Sequence, residues 1–149
     1  MPKITHFPVY VLHASDGTKL CKTKDSSYPH VRNFTSTEHT ITSIKDFYNT
    51  IATTAASGGC LIKGFLNRPL MTESRAGSTN AEDMTTWIAF DLDGADYKSP
   101  KSFIDELPQE FQGVSYIQQF SSSAGEKPGL RCHIFMQLTS PIYAGILKT

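Results

Sequence analysis

Asp91 and Asp93 are the residues whose type and spacing point most directly to chemistry. They close the run Trp87-Ile88-Ala89-Phe90-Asp91-Leu92-Asp93-Gly94, where apolar residues give way to two acids around a leucine, then a glycine. Read as a strand, the run sends successive side chains to opposite faces. Ile88, Phe90 and Leu92 then enter a core, while Asp91 and Asp93 share the other face at the strand's end. Two carboxylates one strand step apart repel each other and are costly to keep ionised unless a cation sits between them. Hard oxygen donors of this kind suit Mg²⁺ or Mn²⁺. Asp93-Gly94 is also good turn chemistry, so an acidic pair that merely opens a surface turn would leave the same signature.

A second cluster lies one crossover later. Ser121-Ser122-Ser123-Ala124-Gly125-Glu126-Lys127-Pro128-Gly129 reads as a small-residue loop, and Leu130 to Leu138 as a strand. On that strand Cys132, Ile134 and Met136 face one way; Arg131, His133 and Phe135 face the other. A lone histidine on a strand is commonly structural, but consecutive strands are usually neighbours in space. If these are, the acids, the loop amides, Arg131 and His133 converge on one patch. Metal, basic donors and a small-residue loop are what a triphosphate needs: the ion bridges phosphate oxygens, and Arg, His and backbone N–H groups take the rest. Upstream, Lys63 interrupts the apolar run Cys60 to Leu66, either snorkelling past an edge or meeting an anion. Arg75, beside Ala76-Gly77-Ser78-Thr79, is a further candidate for a phosphate, with plain solvent exposure as the alternative.

The elements that must position these residues read as an α+β fold, a mixed β-sheet with helices packed on one side. Phe7 to His13 is a strand, Ser15-Asp16-Gly17-Thr18 a turn, and Lys19 to Lys24 the returning arm of a hairpin with a basic edge. Asp25 to His30 reads as loop and Val31 to Thr35 as a short strand. Ser43 to Gly58 is the clearest helix: Ile44, Phe47, Tyr48 and Ile51 recur at helical spacing, Ser43 caps the start, Asp46 suits the N-terminus and Gly58-Gly59 ends it. Cys60 to Leu66 is a buried strand and Asn67 to Asp83 a long polar loop. After the strand Thr86 to Asp93, Ser99-Pro100 starts a helix to about Phe111, with Phe103, Ile104 and Leu107 buried and Pro108 shortening or bending it. Val114 to Phe120 follows as a strand, so the unit is a crossover that favours parallel pairing.

Length and composition narrow the function classes. The chain has 149 residues, one domain's worth, with 39% hydrophobic and 19% charged residues, as in a soluble globular protein. Fourteen basic and fourteen acidic residues cancel, so nucleic-acid binding would have to come from a local patch. Cys21, Cys60 and Cys132 are odd in number without C-x-x-C spacing, which suggests neither a disulfide framework nor a structural zinc site. No apolar run is long enough to span a membrane and no signal-peptide pattern is present, so the expectation is a cytoplasmic protein without a membrane partner. Ile142 to Thr149 reads as an apolar segment cut short, which suggests a piece of a longer chain.

The arrangement resembles the catalytic module of the archaeo-eukaryotic primase superfamily, the primase-polymerases of phages, plasmids and archaea. That module carries an apolar strand ending D-x-D, a later Ser/Gly loop, a strand with a small residue two before a His, and then a further acid. Asp91-Leu92-Asp93 matches the first motif, and Ser121 to Gly125 followed by His133 matches the second. Lys63-Gly64-Phe65-Leu66-Asn67-Arg68, continuing through Ser74-Arg75-Ala76-Gly77-Ser78, is similar to the region upstream in phage primases. The likeness spans Cys60 to Leu138. Arg131 departs from it, standing where the family often has Ser or Thr, and no Asp or Glu follows Glu126 to supply the family's third carboxylate.

The resemblance implies an RRM-like catalytic core and template-directed nucleotidyl transfer by two-metal catalysis. Asp91 and Asp93 would bind Mg²⁺ or Mn²⁺; His133, Arg131 and Ser123 would hold a nucleoside triphosphate, with Arg75 and Lys63 as further contacts. The implied partners are a single-stranded DNA template and a helicase domain in the same longer chain, at work in the host cytoplasm if the source is viral. One alternative is a non-catalytic nucleic-acid-binding or replication-protein interaction module. Phe90-Asp91-Leu92-Asp93-Gly94 also fits the haloacid-dehalogenase phosphatases, whose mechanism needs a late acidic pair that has no counterpart after Glu126.

Overall fold

A computed structural model of the chain describes residues 6–21, 29–80 and 82–143. The elements are β1 (Phe7–Ala14), β2 (Phe34–Ile41), α1 (Ile44–Ala56), β3 (Cys60–Ile62), β4 (Met84–Ala95), α2 (Pro100–Asp105), a 3₁₀ turn (Gln109–Phe111), β5 (Tyr116–Phe120) and β6 (Leu130–Tyr143). The class is α+β. In place of one mixed sheet there are two three-stranded sheets, ordered β2-β1-β3 and β4-β6-β5. The chain divides into two compact units, residues 1–86 with 139–149, and residues 87–138. No helix among the described residues is long and apolar enough to cross a membrane.

In the first unit β1 is the central strand, antiparallel to β2 on one side and β3 on the other. That arrangement overturns the expected hairpin. Both edges of β1 are taken, so Lys19 to Cys21 form no strand, and Leu20 instead donates its N–H to the Gly58 carbonyl at 2.8 Å. Lys22 and Lys24 lie outside the described residues. The expected Val31–Thr35 strand begins later, at Phe34, and runs on to Ile41. Leu12, Ile62, Leu66 and Leu70 form a buried cluster under these strands.

The α1 boundaries follow from its caps. Ser43 accepts the Asp46 N–H, and Gly58 at φ +73° lets Gly59 and Gly58 donate to the carbonyls of Thr54 and Ala55, a Schellman ending. Phe47 and Ile51 are buried, Phe47 edge-on to Phe7 at 5.5 Å, and Thr54 joins them. Ile44 and Tyr48, expected in the same stripe, are exposed. The stripe at Phe47, Ile51 and Thr54 is narrower because α1 buries one flank only.

The second unit builds its core on one face of the β4-β6-β5 sheet. Ile88, Cys132, Ile134 and Met136 pack with Ile104 of α2, and Phe90, Leu92, Phe103 and Leu107 close around them. α2 stops at Asp105, short of Phe111. Gln112 donates its side-chain amide to the Ile104 and Leu107 carbonyls, satisfying the helix end, and Pro108 lacks the N–H to continue it. Strand β5 antiparallels β6, and β6 lies between β4 and β5. The crossover therefore joins two strands that are not neighbours, a split β-α-β, rather than a directly paired parallel unit.

Candidate functional site

The face of β4 opposite the core carries the two acids, because Phe90 and Leu92 occupy the core side and the alternation leaves Asp91 and Asp93 outward. Both are exposed, with Asp91 at 61% and Asp93 at 78% side-chain exposure. On β6 the same logic turns Cys132, Ile134 and Met136 inward and Arg131 and His133 outward. The strands sit in a register that sets these four residues in two pairs. His133 Nε2 lies 3.2 Å from Asp91 Oδ1, and Arg131 Nη1 contacts Asp93 Oδ1. As the number rises on β4 it falls on β6, the signature of an antiparallel pair. A cation was expected between the acids; Asp93 has one in Arg131, and Asp91 has the His133 ring as its neighbour.

Arg131 is held from several sides. Its Nε donates to the Pro128 carbonyl at 3.2 Å, and its Nη2 would stand 3.0 Å from a Cβ at Gly94. Only 16% of its side chain is exposed, so it is a fixed donor rather than a waving one. His133 packs edge-on against Phe135 with centroids 6.1 Å apart, and Phe135 in turn faces Trp87. On the hidden side of β6, burial first and the nearby Asp91 charge second push the Cys132 thiol above its ordinary range. That thiol is a core group, not a nucleophile.

The Ser/Gly loop joins the patch through Ser121, whose N–H donates to the Arg131 carbonyl at 3.1 Å. Ser121 Oγ and Ser123 Oγ are 3.4 Å apart, which brings the Ser123 hydroxyl one step from that strand end. The loop amides are another matter. Ala124 donates to Ser121, and Glu126 and Lys127 both donate to Ser123. These three N–H groups close the loop on itself instead of pointing at a ligand.

Asp91, Asp93, Ser123, Arg131 and His133 all belong to the second unit; Lys63 and Arg75 belong to the first. Lys63 follows the end of β3 and is exposed, since the strand stops at Ile62 rather than running to Leu66. Arg75 is exposed in the loop after β3. Gln119 went unremarked in the sequence. It stands directly opposite His133 in the β5–β6 register and so shares the outward face. Counting back from the loop in an antiparallel hairpin is the signal that finds it.

Among the described residues no three His, Cys, Asp or Glu side chains come together as a metal cage. The donor set is two hard carboxylates on one exposed face, which fits a divalent ion only if the ligand brings oxygens of its own. Both carboxylates are exposed, and ion pairs at exposed sites are worth about 0–1 kcal/mol, so the acids can turn to another partner while Arg131 stays in place. No protein-family model, curated protein or solved structure matches the chain.

Proposed function

We propose that the chain is a primase-polymerase-like nucleotidyl-transfer module, taking nucleoside triphosphates and a single-stranded DNA template in replication of a phage, plasmid or other mobile element. The observation that carries the proposal is the pairing of Asp91 with His133 and Asp93 with Arg131 across two strands. Two motifs forty residues apart thereby meet on one open sheet face. Asp91 and Asp93 would hold Mg²⁺ or Mn²⁺ jointly with the triphosphate. Of two ions held there, one would lower the pKa of an attacking 3′-hydroxyl and the other would steady the departing pyrophosphate.

The chain's own residues do the rest by exchanging anions. Arg131 gives up the Asp93 carboxylate for a phosphate oxygen, and its contacts with Pro128 and Gly94 keep it aimed while it does so. His133 likewise turns its Nε2–H from Asp91 to the phosphate chain, steadied by Phe135. Ser123 offers a hydroxyl from the loop. Calorimetry with Mn²⁺ and a nucleoside triphosphate tests this. Asp91→Ala with Asp93→Ala should abolish the metal-dependent heat, and His133→Ala should cost about 1–3 kcal/mol of binding, as for a charge-assisted hydrogen bond. Equal binding by wild type and the double variant would end the proposal.

The same ion pairs favour a second reading, a non-catalytic nucleic-acid-binding or replication-protein interaction module, because Arg131 and His133 already balance the acids. In that case single-stranded DNA binds without metal, and loss of Asp91 and Asp93 strengthens binding by freeing Arg131 and His133 for phosphate.

A further inference from the structure

We propose that the first unit carries a nucleoside-phosphate site of its own, in a cleft between the start of β2, the end of β1 and the loop that holds Arg75. The cleft has a volume of about 800 Å³, within the range of small-molecule sites. One side is apolar: Leu12 of the buried cluster lines it, with Leu20 and Phe34, which pack against that cluster half-buried. The other side is cationic. Arg32 and Arg75 both line the cleft and both are exposed.

Among the described residues no carboxylate lines this space. Among the described residues neither guanidinium has an ion-pair or hydrogen-bond partner, in contrast to Arg68, which pairs with Glu73, and Arg131, which pairs with Asp93. Two unpaired guanidinium forks beside an apolar wall ask for an anion with an apolar body, and planar forks favour phosphate. Inorganic phosphate would satisfy the arginines and leave the wall uncovered. A nucleoside phosphate covers both, its ring lying against Phe34 and Leu20 and its phosphate between the arginines. Asn33 and Ser74 also line the cleft and supply polar groups for a ring edge. The site is separate from the acidic face, and it reassigns Arg75 from that face to this cleft.

Cys60 makes the site testable, since its half-buried thiol lines the same cleft. Burial raises its pKa and the Arg75 charge pulls it partly back, so the sulfur lies within the field of that arginine. The experiment is maleimide labelling of the 149-residue chain, read peptide by peptide by mass spectrometry, with dAMP, adenosine or inorganic phosphate present. Saturating dAMP should slow Cys60 labelling by about threefold or more, following the binding polynomial, and leave exposed Cys21 unchanged. Adenosine and inorganic phosphate should each protect less. Protection should vanish in Arg32→Gln with Arg75→Gln and persist in Asp91→Ala with Asp93→Ala. Absence of protection by dAMP in the wild type would overturn the site, and so would protection that survives loss of both arginines. Protection lost only with the two acids would assign the nucleotide to the other face instead.

Discussion

Gly129 has φ +83°, and a Cβ there would stand 2.6 Å from the Gly94 carbonyl carbon and oxygen. The two backbones thus touch beside the Asp93–Arg131 pair, and no side chain fits between them. Gly17 makes a clean comparison, with φ +82° and nothing within 4 Å of its missing Cβ. Gly17→Ala should cost only the left-handed strain, about 1–2 kcal/mol. Gly129→Ala should cost clearly more in denaturant unfolding and should loosen Arg131 as well; equal losses would show that the backbone contact relaxes freely. Alternation alone made legible that Asp91 and Asp93 share one face and Arg131 and His133 another. Which acid meets which base was not legible, because a register depends on loop length and on close contacts such as Gly94 with Gly129. Gln119 was missed for the same reason.

Capping chemistry is the most legible part of the elements. Ser43 and Gly58-Gly59 bound α1 as their types require, and Ser99-Pro100 starts α2 with a reciprocal Ser99–Ser102 capping pair. Pairing between distant strands is the least legible. The turn at Asp16-Gly17 forms, with Thr18 N–H donating to Asp16, yet Lys19 to Cys21 do not pair with β1. A turn specifies a reversal, not a partner, and β2 and β3 take the two edges of β1.

Asp46, in the first turn of α1, makes a charge-dependent contact. Its carboxylate accepts first from the Thr42 hydroxyl and then from the Thr42 N–H, which holds its pKa below the ordinary 3.8. A folded pKa below the unfolded one stabilises at all pH above the unfolded value and is lost as pH falls through the folded value. Wild type should therefore melt higher than Asp46→Asn at pH 6, and the gap should shrink as the pH falls below the ordinary aspartate range. A gap that stays constant with pH would mean that the Thr42 bonds do not depend on the charge.

The molecule as a whole carries no net charge, and that bears directly on how it would meet a nucleic acid. A basic surface tracks many phosphates and shows it as a steep loss of affinity with salt, about −0.7 in log–log slope for each contact on a single strand. Here Arg131, the cation of the acidic face, starts out balanced by Asp93, and His133 is engaged with Asp91. Any phosphate contact there is gained only by exchange. Arg32 and Arg75 add two more in the first unit if a strand reaches them. Single-stranded DNA binding, followed by fluorescence anisotropy between 50 and 300 mM salt, should give a shallow slope, about −0.7 to −2, for one to three contacts. Arg131→Ala should flatten it by about 0.7, the share of one contact. A slope steeper than about −4 would require six or more phosphate contacts. Neither face described here has that many cations, so such a slope would move the nucleic-acid surface elsewhere and detach the acidic pair from template binding.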